Sequence, residues 1–191
     1  MTSLHPMAPA HGASVAAIQQ SIYPPSLHED VALILERAAL FPRGSLVCIC
    51  GQQCVGYASA YPYPEDLALA RPPSLGKVEP LCIARALAEP ARACLFIHEI
   101  SIYSQGQGLG QRVLQELLAV AAAHSFRSIV LVSVLGNETW YARSGFRVVR
   151  ELASYSCDEG ASAATAPPPP LPPTPSYHCQ IKQAHVMHLA L

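Results

Sequence analysis

Charge is scarce in this chain. Only 13% of its 191 residues are Asp, Glu, Lys or Arg, and 12 basic residues stand against 13 acidic ones, for a formal net charge of -1. The Lys and Arg residues are scattered, whereas binding a nucleic-acid backbone needs them clustered so that counterions are released. Nucleic acid is therefore not an expected partner. No apolar run approaches the ~20 residues that span a bilayer, so membrane insertion is not expected either. The N-terminus lacks a charged start followed by an apolar signal core. The seven cysteines, at 48, 50, 54, 82, 94, 157 and 179, include no C-x-x-C pair. An odd set in apolar surroundings reads as reduced, buried thiols rather than metal ligands. A soluble protein of a reducing compartment is expected, cytoplasmic, with the nucleus admitted. Neither a G-x-G-x-x-G loop nor a Walker G-K-[ST] loop occurs, so the two commonest nucleotide cradles are absent.

What the sequence has is apolar pattern: 51% of it is hydrophobic, enough for one domain with its own core. A short first strand fits within residues 1–12. Residues 13–22 read as a helix broken by Tyr23-Pro24-Pro25. Residues 28–40 read as a second helix with Val31, Ile34, Leu35 and Ala38 on one stripe. Strands at 45–50 and 54–61 join across Gly51-Gln52-Gln53 as a hairpin. Residues 62–92 form a long connection punctuated by proline, of the kind that serves as a lid or substrate wall. A strongly apolar strand follows at 93–103, then an amphipathic helix at 110–124 and a nearly continuous apolar strand at 128–135. A short helix at 138–143, ended by Gly145, precedes strands at 146–152 and 184–191. Residues 161–176, built around PPPPLPP, cannot pack a core and favour an extended polyproline form. They read as an insertion in a single domain spanning 1–191, between two strands that could pair antiparallel.

Chemistry concentrates in one place: strand, Gly-rich loop, helix, strand. The loop is Gln105-Gly106-Gln107-Gly108-Leu109-Gly110. Glycines let main chain approach a phosphate, and the helix behind offers unpaired N–H groups and a positive dipole end. Gln105, Gly108 and Gly110 fill the fixed positions of R/Q-x-x-G-x-G/A, and the loop resembles motif A of the GNAT superfamily of N-acetyltransferases. The resemblance continues in LFIHEISI before the loop, in SIVLVSV after the helix, and in TWYARSGF from Thr139 to Phe146. One departure is that only Tyr103 and Ser104 separate the preceding strand from the motif. The resemblance implies an α+β sandwich with a mixed, largely antiparallel sheet of six to seven strands, splayed central strands and about four helices. It also implies acetyl-CoA as co-substrate between the splayed strands. Main chain of Ile100, Ser101 and Ile102 would pair with the pantetheine arm, and amides of Gly106, Gly108, Gly110 and Gln111 would hold the pyrophosphate. Arg112 stands where it could reach an adenosine-side phosphate or lie on a solvated helix face.

Acetyl transfer to an amine needs a base for the nitrogen and a proton for the leaving thiolate, because alkyl amines have a pKa of about 10.4. Tyr141 matches the family's tyrosine and is the general-acid candidate; its alternative is packing beside the cofactor. His98 and Glu99 are the base candidates. On a regular strand they point to opposite faces, so without a bulge only one reaches a given cleft. Around His98 the chain resembles arylalkylamine N-acetyltransferases, which carry a functional histidine there; a structural hydrogen bond is the alternative. Substrate contacts are expected from Tyr23, Pro24, Tyr61 and Tyr63, whose rings suggest a small primary amine, aromatic ones included. A peptide or protein amine is the rival acceptor. A non-catalytic acyl-CoA scaffold that docks partners through PPPPLPP is a reading of another class. His185 and His188 fall on opposite faces of a strand, which argues against a metal there.

Overall fold

The computed structural model of the protein describes residues 2–103, 107–152 and 184–191. Gln105, Gly106, Cys157, Cys179 and the Pro-rich 161–176 lie outside the described residues.

Seven strands form one mixed sheet in the order β1-β2-β3-β4-β5-β7-β6. They are β1 (Thr2–Pro6), β2 (Ser45–Cys50), β3 (Gln53–Pro64), β4 (Ala93–Ile102), β5 (Ser128–Val134), β6 (Arg147–Leu152) and β7 (Ala184–Ala190). Every neighbouring pair is antiparallel except β4 and β5, which are parallel and joined by a crossover helix. The sheet is thus of the kind expected, down to the antiparallel pairing of β6 with β7 across the insertion.

The helices are α1 (Gly12–Ile22), α2 (Val31–Leu40), α3 (Glu65–Ala70), α4 (Pro80–Ala88), α5 (Leu109–Ala123) and α6 (Glu138–Ala142). Among the described residues that makes six, where about four were expected. The two extra ones lie within 62–92, read from sequence as plain connection. Proline misleads there because it is tolerated in a first helical turn, and α4 opens on Pro80. The strand before them also runs longer than expected. Beyond Ser59, β3 has no β2 partner, so Pro62 and Pro64 extend it at no cost in lost ladder hydrogen bonds.

Alternation along the strands divides the interior. Val47 and Tyr57 face one way and pack with Val15 and Ile18 of α1 and Ile34 of α2. Leu46, Cys48 and Ala58 face the other way into the main core, where α5 lays down Val113, Leu114 and Leu117. Helix α2 starts three residues later than its pattern suggests. Asp30 caps it by accepting from the Ala32 N–H at 2.9 Å, which leaves Glu29 outside the helix and free to turn inward.

The partnership of β3 and β4 carries one irregularity. Ser59 pairs with Glu99 but Ala60 pairs with Ile97, so His98 is the extra residue of a β-bulge. Gly44, buried just before β2, lies against the same spot, and a Cβ on it would overlap the Ala60 carbonyl oxygen. Gly44→Ala should therefore destabilise the protein by about 1–3 kcal/mol or more. Urea unfolding monitored by circular dichroism measures this; an unchanged midpoint would contradict the packing described.

Candidate active site

The parallel ladder of β4 and β5 runs from Cys94 and Ser128 to Ile97 and Leu131, and ends there. Past that point β4 stays with β3 as far as Ile102, while β5 stays with β7 as far as Val134. A bulged strand bends and twists more strongly, and the bulge at His98 begins where the two strands part. The wedge between them holds two cavities that share Tyr23.

The larger cavity is a groove of about 540 Å³. Ile100, Ser101 and Ile102 line one side, residues 108–111 close one end, and Trp140 and Tyr141 form the opposite side. With β5 gone, main-chain groups on that edge of β4 face the groove. Gly108 caps α5 with φ +67°, a left-handed conformation, and a Cβ there would meet nothing within 4 Å. The first N–H groups of α5 have no acceptor inside the helix, and the cap residue, a glycine, offers them no side chain. An open left-handed glycine, an uncapped helix start and an unpaired strand edge together fit a pyrophosphate with an extended arm. Gln107 is exposed, and Arg112 directs its guanidinium to the Thr2 carbonyl at 3.3 Å, the partner it has in place of a phosphate.

The smaller cavity, about 40 Å³, is walled by Leu27, Leu75, Val132 and Val134, with Glu29, His98 and Glu99 at its polar end. The bulge explains why both His98 and Glu99 reach it, against the opposite faces expected of a regular strand. Their environments differ. His98 places Nε2 2.7 Å from Glu29 Oε2 and Nδ1 3.2 Å from the Tyr61 hydroxyl, and its side chain is 1% exposed. Burial pushes its pKa down, with Arg37 adding to the effect and Glu29 opposing it. A neutral ring that donates from Nε2 and accepts at Nδ1 satisfies both contacts, and both nitrogens are then used.

Glu29 is the residue that sequence reading missed. Its carboxylate accepts from Arg37 at 2.8 and 2.6 Å, from the Gly76 N–H at 2.6 Å, and from His98. Its own N–H and C=O are held by the Gln19 side chain. Burial alone would raise its pKa, yet His98 and Arg37 outweigh that and hold it well below the usual carboxylate range. Arg37, fully buried, also donates to the Lys77 carbonyl at 2.8 Å.

Glu99 is different. Burial raises its pKa to about 7, against the lowering effect of the Ser101 hydroxyl, which donates to Oε1 at 2.6 Å. That hydroxyl lies 3.1 Å from the Tyr23 hydroxyl. Tyr141 rests edge-on against Trp140 and Phe146, and burial, with Glu99 nearby, pushes its pKa up so that it keeps its proton. Tyr61 and Tyr63, expected at the substrate, are 3% and 2% exposed and line neither cavity. The bulge and the longer β3 turn them inward, Tyr61 to His98 and Tyr63 to Glu79 at 2.5 Å. Pro24 likewise lines neither cavity; it caps the 3-10 turn Pro25–Leu27 that presents Leu27. His185 meets Glu138 at 3.0 Å and His188 meets Glu65 at 3.3 Å.

Comparison with known proteins agrees with this geometry. The model of the acetyltransferase (GNAT) family matches residues 13–146. No curated protein is similar enough in sequence to match. Solved structures similar to the chain include the loading GNATL domain of CurA from Lyngbya majuscula, with TM-score 0.71, 14% identity, and 100% of this chain and 98% of that one covered. Mosquito arylalkylamine N-acetyltransferase like 5b has TM-score 0.63 and 16% identity, with both chains fully covered. Arabidopsis thaliana Naa50, solved with a bisubstrate analogue, has TM-score 0.61 and 13% identity, over 100% and 99% of the two chains. At these identities the likeness is one of fold.

Removing one partner of a buried ion pair strands the other, which costs about 3–5 kcal/mol. Arg37→Met should lose that much in chemical denaturation at pH 7. For the wild type, a carboxylate held low contributes stability above its unfolded pKa of about 4.3 and loses it as pH falls below. The gap between wild type and Arg37→Met should therefore narrow in acid; a constant gap would contradict an ionised Glu29.

Proposed function

The chain belongs to the GNAT acetyltransferase family, and from that premise we propose that it moves the acetyl group of acetyl-CoA to a small primary amine by direct attack, with Glu99 as base. The observation that carries this reading is Glu99 itself: a carboxylate with its pKa raised to about 7, at the polar end of a small cavity that meets the groove at Tyr23. The family uses acetyl-CoA. The uncapped start of α5 would hold its pyrophosphate, and β4 main chain at Ile100–Ile102 would hold its arm.

When bound, acetyl-CoA supplies an acetyl group activated as a thioester. Glu99, increasingly ionised as pH rises through about 7, attracts an ammonium into the smaller cavity and takes a proton from it at Oε1 or Oε2. A base whose pKa lies near the operating pH is well matched to that task. Ser101 fixes one of those oxygens and links it to Tyr23, which stands at the junction of the two cavities. His98 has both nitrogens engaged by Glu29 and Tyr61, so its part is to position the bulge and to leave Glu99 as the titrating group. Tyr141 keeps its proton at neutral pH and is the hydroxyl that lines the groove opposite β4 and can donate to a leaving thiolate.

The test is thiol release from acetyl-CoA with a panel of primary amines, polyamines and N-terminal peptides. We expect turnover on small amines; turnover confined to peptides would support the rival acceptor. A base must be deprotonated to act, so kcat/KM should rise as pH passes through about 7, and Glu99→Gln should lower it by roughly 10²–10⁴ and abolish that limb. A limb that survives in Glu99→Gln would assign the base elsewhere. Tyr141→Phe should lower kcat with little change in the affinity for CoA; unchanged kcat would leave Tyr141 a packing residue.

A further inference from the structure

Resting on the acetyl-transfer reading above, we infer that Leu75 and Leu27 set the acceptor: a short, unbranched aliphatic primary amine whose ammonium meets Glu99 and whose carbon chain stops against these two leucines. Size argues first. A water-sized group needs roughly 10–15 Å³ of such space, so a cavity of about 40 Å³ takes about three or four non-hydrogen atoms, a nitrogen and two or three carbons, and not an aromatic ring. Tyr61 and Tyr63, the side chains that suggested an aromatic acceptor, face the interior and add no room.

Chemistry argues next. Apart from Tyr23 at the junction with the groove, the apolar walls are aliphatic and belong to a small cluster of their own, in which Leu27 packs with Leu75, Val132 and Val134. Of the polar groups, Glu29 already accepts four hydrogen bonds and His98 has both ring nitrogens used. Glu99 is the acid left to receive a cation. No Lys or Arg is among the described residues that line the cavity, so the carboxylate of an amino acid has no partner in it. A monoamine with an apolar body is what remains.

The wall is also fixed in place. Leu75 precedes Gly76, whose N–H is bound to Glu29, and Lys77, whose carbonyl accepts from Arg37. The buried ion pair thus pins the main chain directly after Leu75, which holds this part of the wall at the cavity. Leu27 is 6% exposed and sits at the end of the turn Pro25–Leu27. In an apolar pocket each methylene that fits or fails to fit changes discrimination by about 10–200-fold.

The experiment uses the full chain with ethylamine, propylamine, butylamine, hexylamine, octylamine and phenethylamine. Binding is read by calorimetry in the presence of CoA, and turnover by thiol release from acetyl-CoA. Wild type should prefer propylamine over hexylamine and phenethylamine by about tenfold or more. Leu75→Ala should shift that ratio toward the longer amines by a similar factor, and Leu75→Phe should shift it toward ethylamine. Because the two variants move one ratio in opposite directions, either of them, if it melts cooperatively, decides the matter. Ratios within about twofold of wild type in a folded variant would overturn the assignment of Leu75. Thiol release without any dependence on chain length would overturn this inference and leave the acetyl-transfer reading standing. Length-dependent binding without thiol release would overturn the acetyl-transfer reading, and with it the acceptor role, leaving the cavity an amine-binding site.

Discussion

The ladder between β4 and β5 ends at Ile97 and Leu131, and both cavities exist because it ends there. A parallel pair this central would normally stay zipped, since open strand edges inside a protein leave polar groups unpaired. Here the bulge at His98 bends β4 away while β5 remains bound to β7. The opened edge becomes the wall of the groove, and the same extra residue turns His98 and Glu99 together into the smaller cavity. Splay, groove and the pairing of His98 with Glu99 in one cavity follow from one inserted residue.

The bulge is held by chemistry that does not come free. His98, Glu29 and Arg37 bring ionisable side chains into an almost dry interior, where desolvation commonly cancels the attraction between opposite charges. Their value is positional. Glu29 joins three segments: α2 through Arg37, the loop before α4 through Gly76, and β4 through His98. With Glu29 saturated and His98 neutral, the charge that titrates near neutrality is concentrated on Glu99. Two acidic residues at one end of a cavity are thereby set apart, Glu29 held ionised and Glu99 left to titrate near neutrality.

Local features were readable from the sequence. The amphipathic stripe of α5, the apolar β5 and the glycines before α5 all lie within one stretch of chain, and their spacing alone is informative. The motif's resemblance then supplied the splay and the cofactor. Features that depend on a distant partner were hidden. A bulge is a mismatch of register between two strands, so no pattern in β4 alone betrays His98 as the extra residue. Glu29, in the run His28-Glu29-Asp30, looked like ordinary charge at a helix start, and only the cap by Asp30 turns it inward. The burial of Tyr61 and Tyr63 was hidden for a related reason: β3 outruns β2, and its end is covered by helices α3 and α4, which the prolines masked.

The account is tested most directly by a crystal structure of the protein with a conjugate in which the acetyl carbon links CoA to propylamine. It predicts the arm of CoA along Ile100–Ile102, the pyrophosphate at the start of α5, and the conjugate's amine nitrogen within hydrogen-bonding reach of Glu99 with the propyl chain against Leu75. A conjugate bound outside the wedge between β4 and β5, or one whose nitrogen lies away from Glu99, would contradict it.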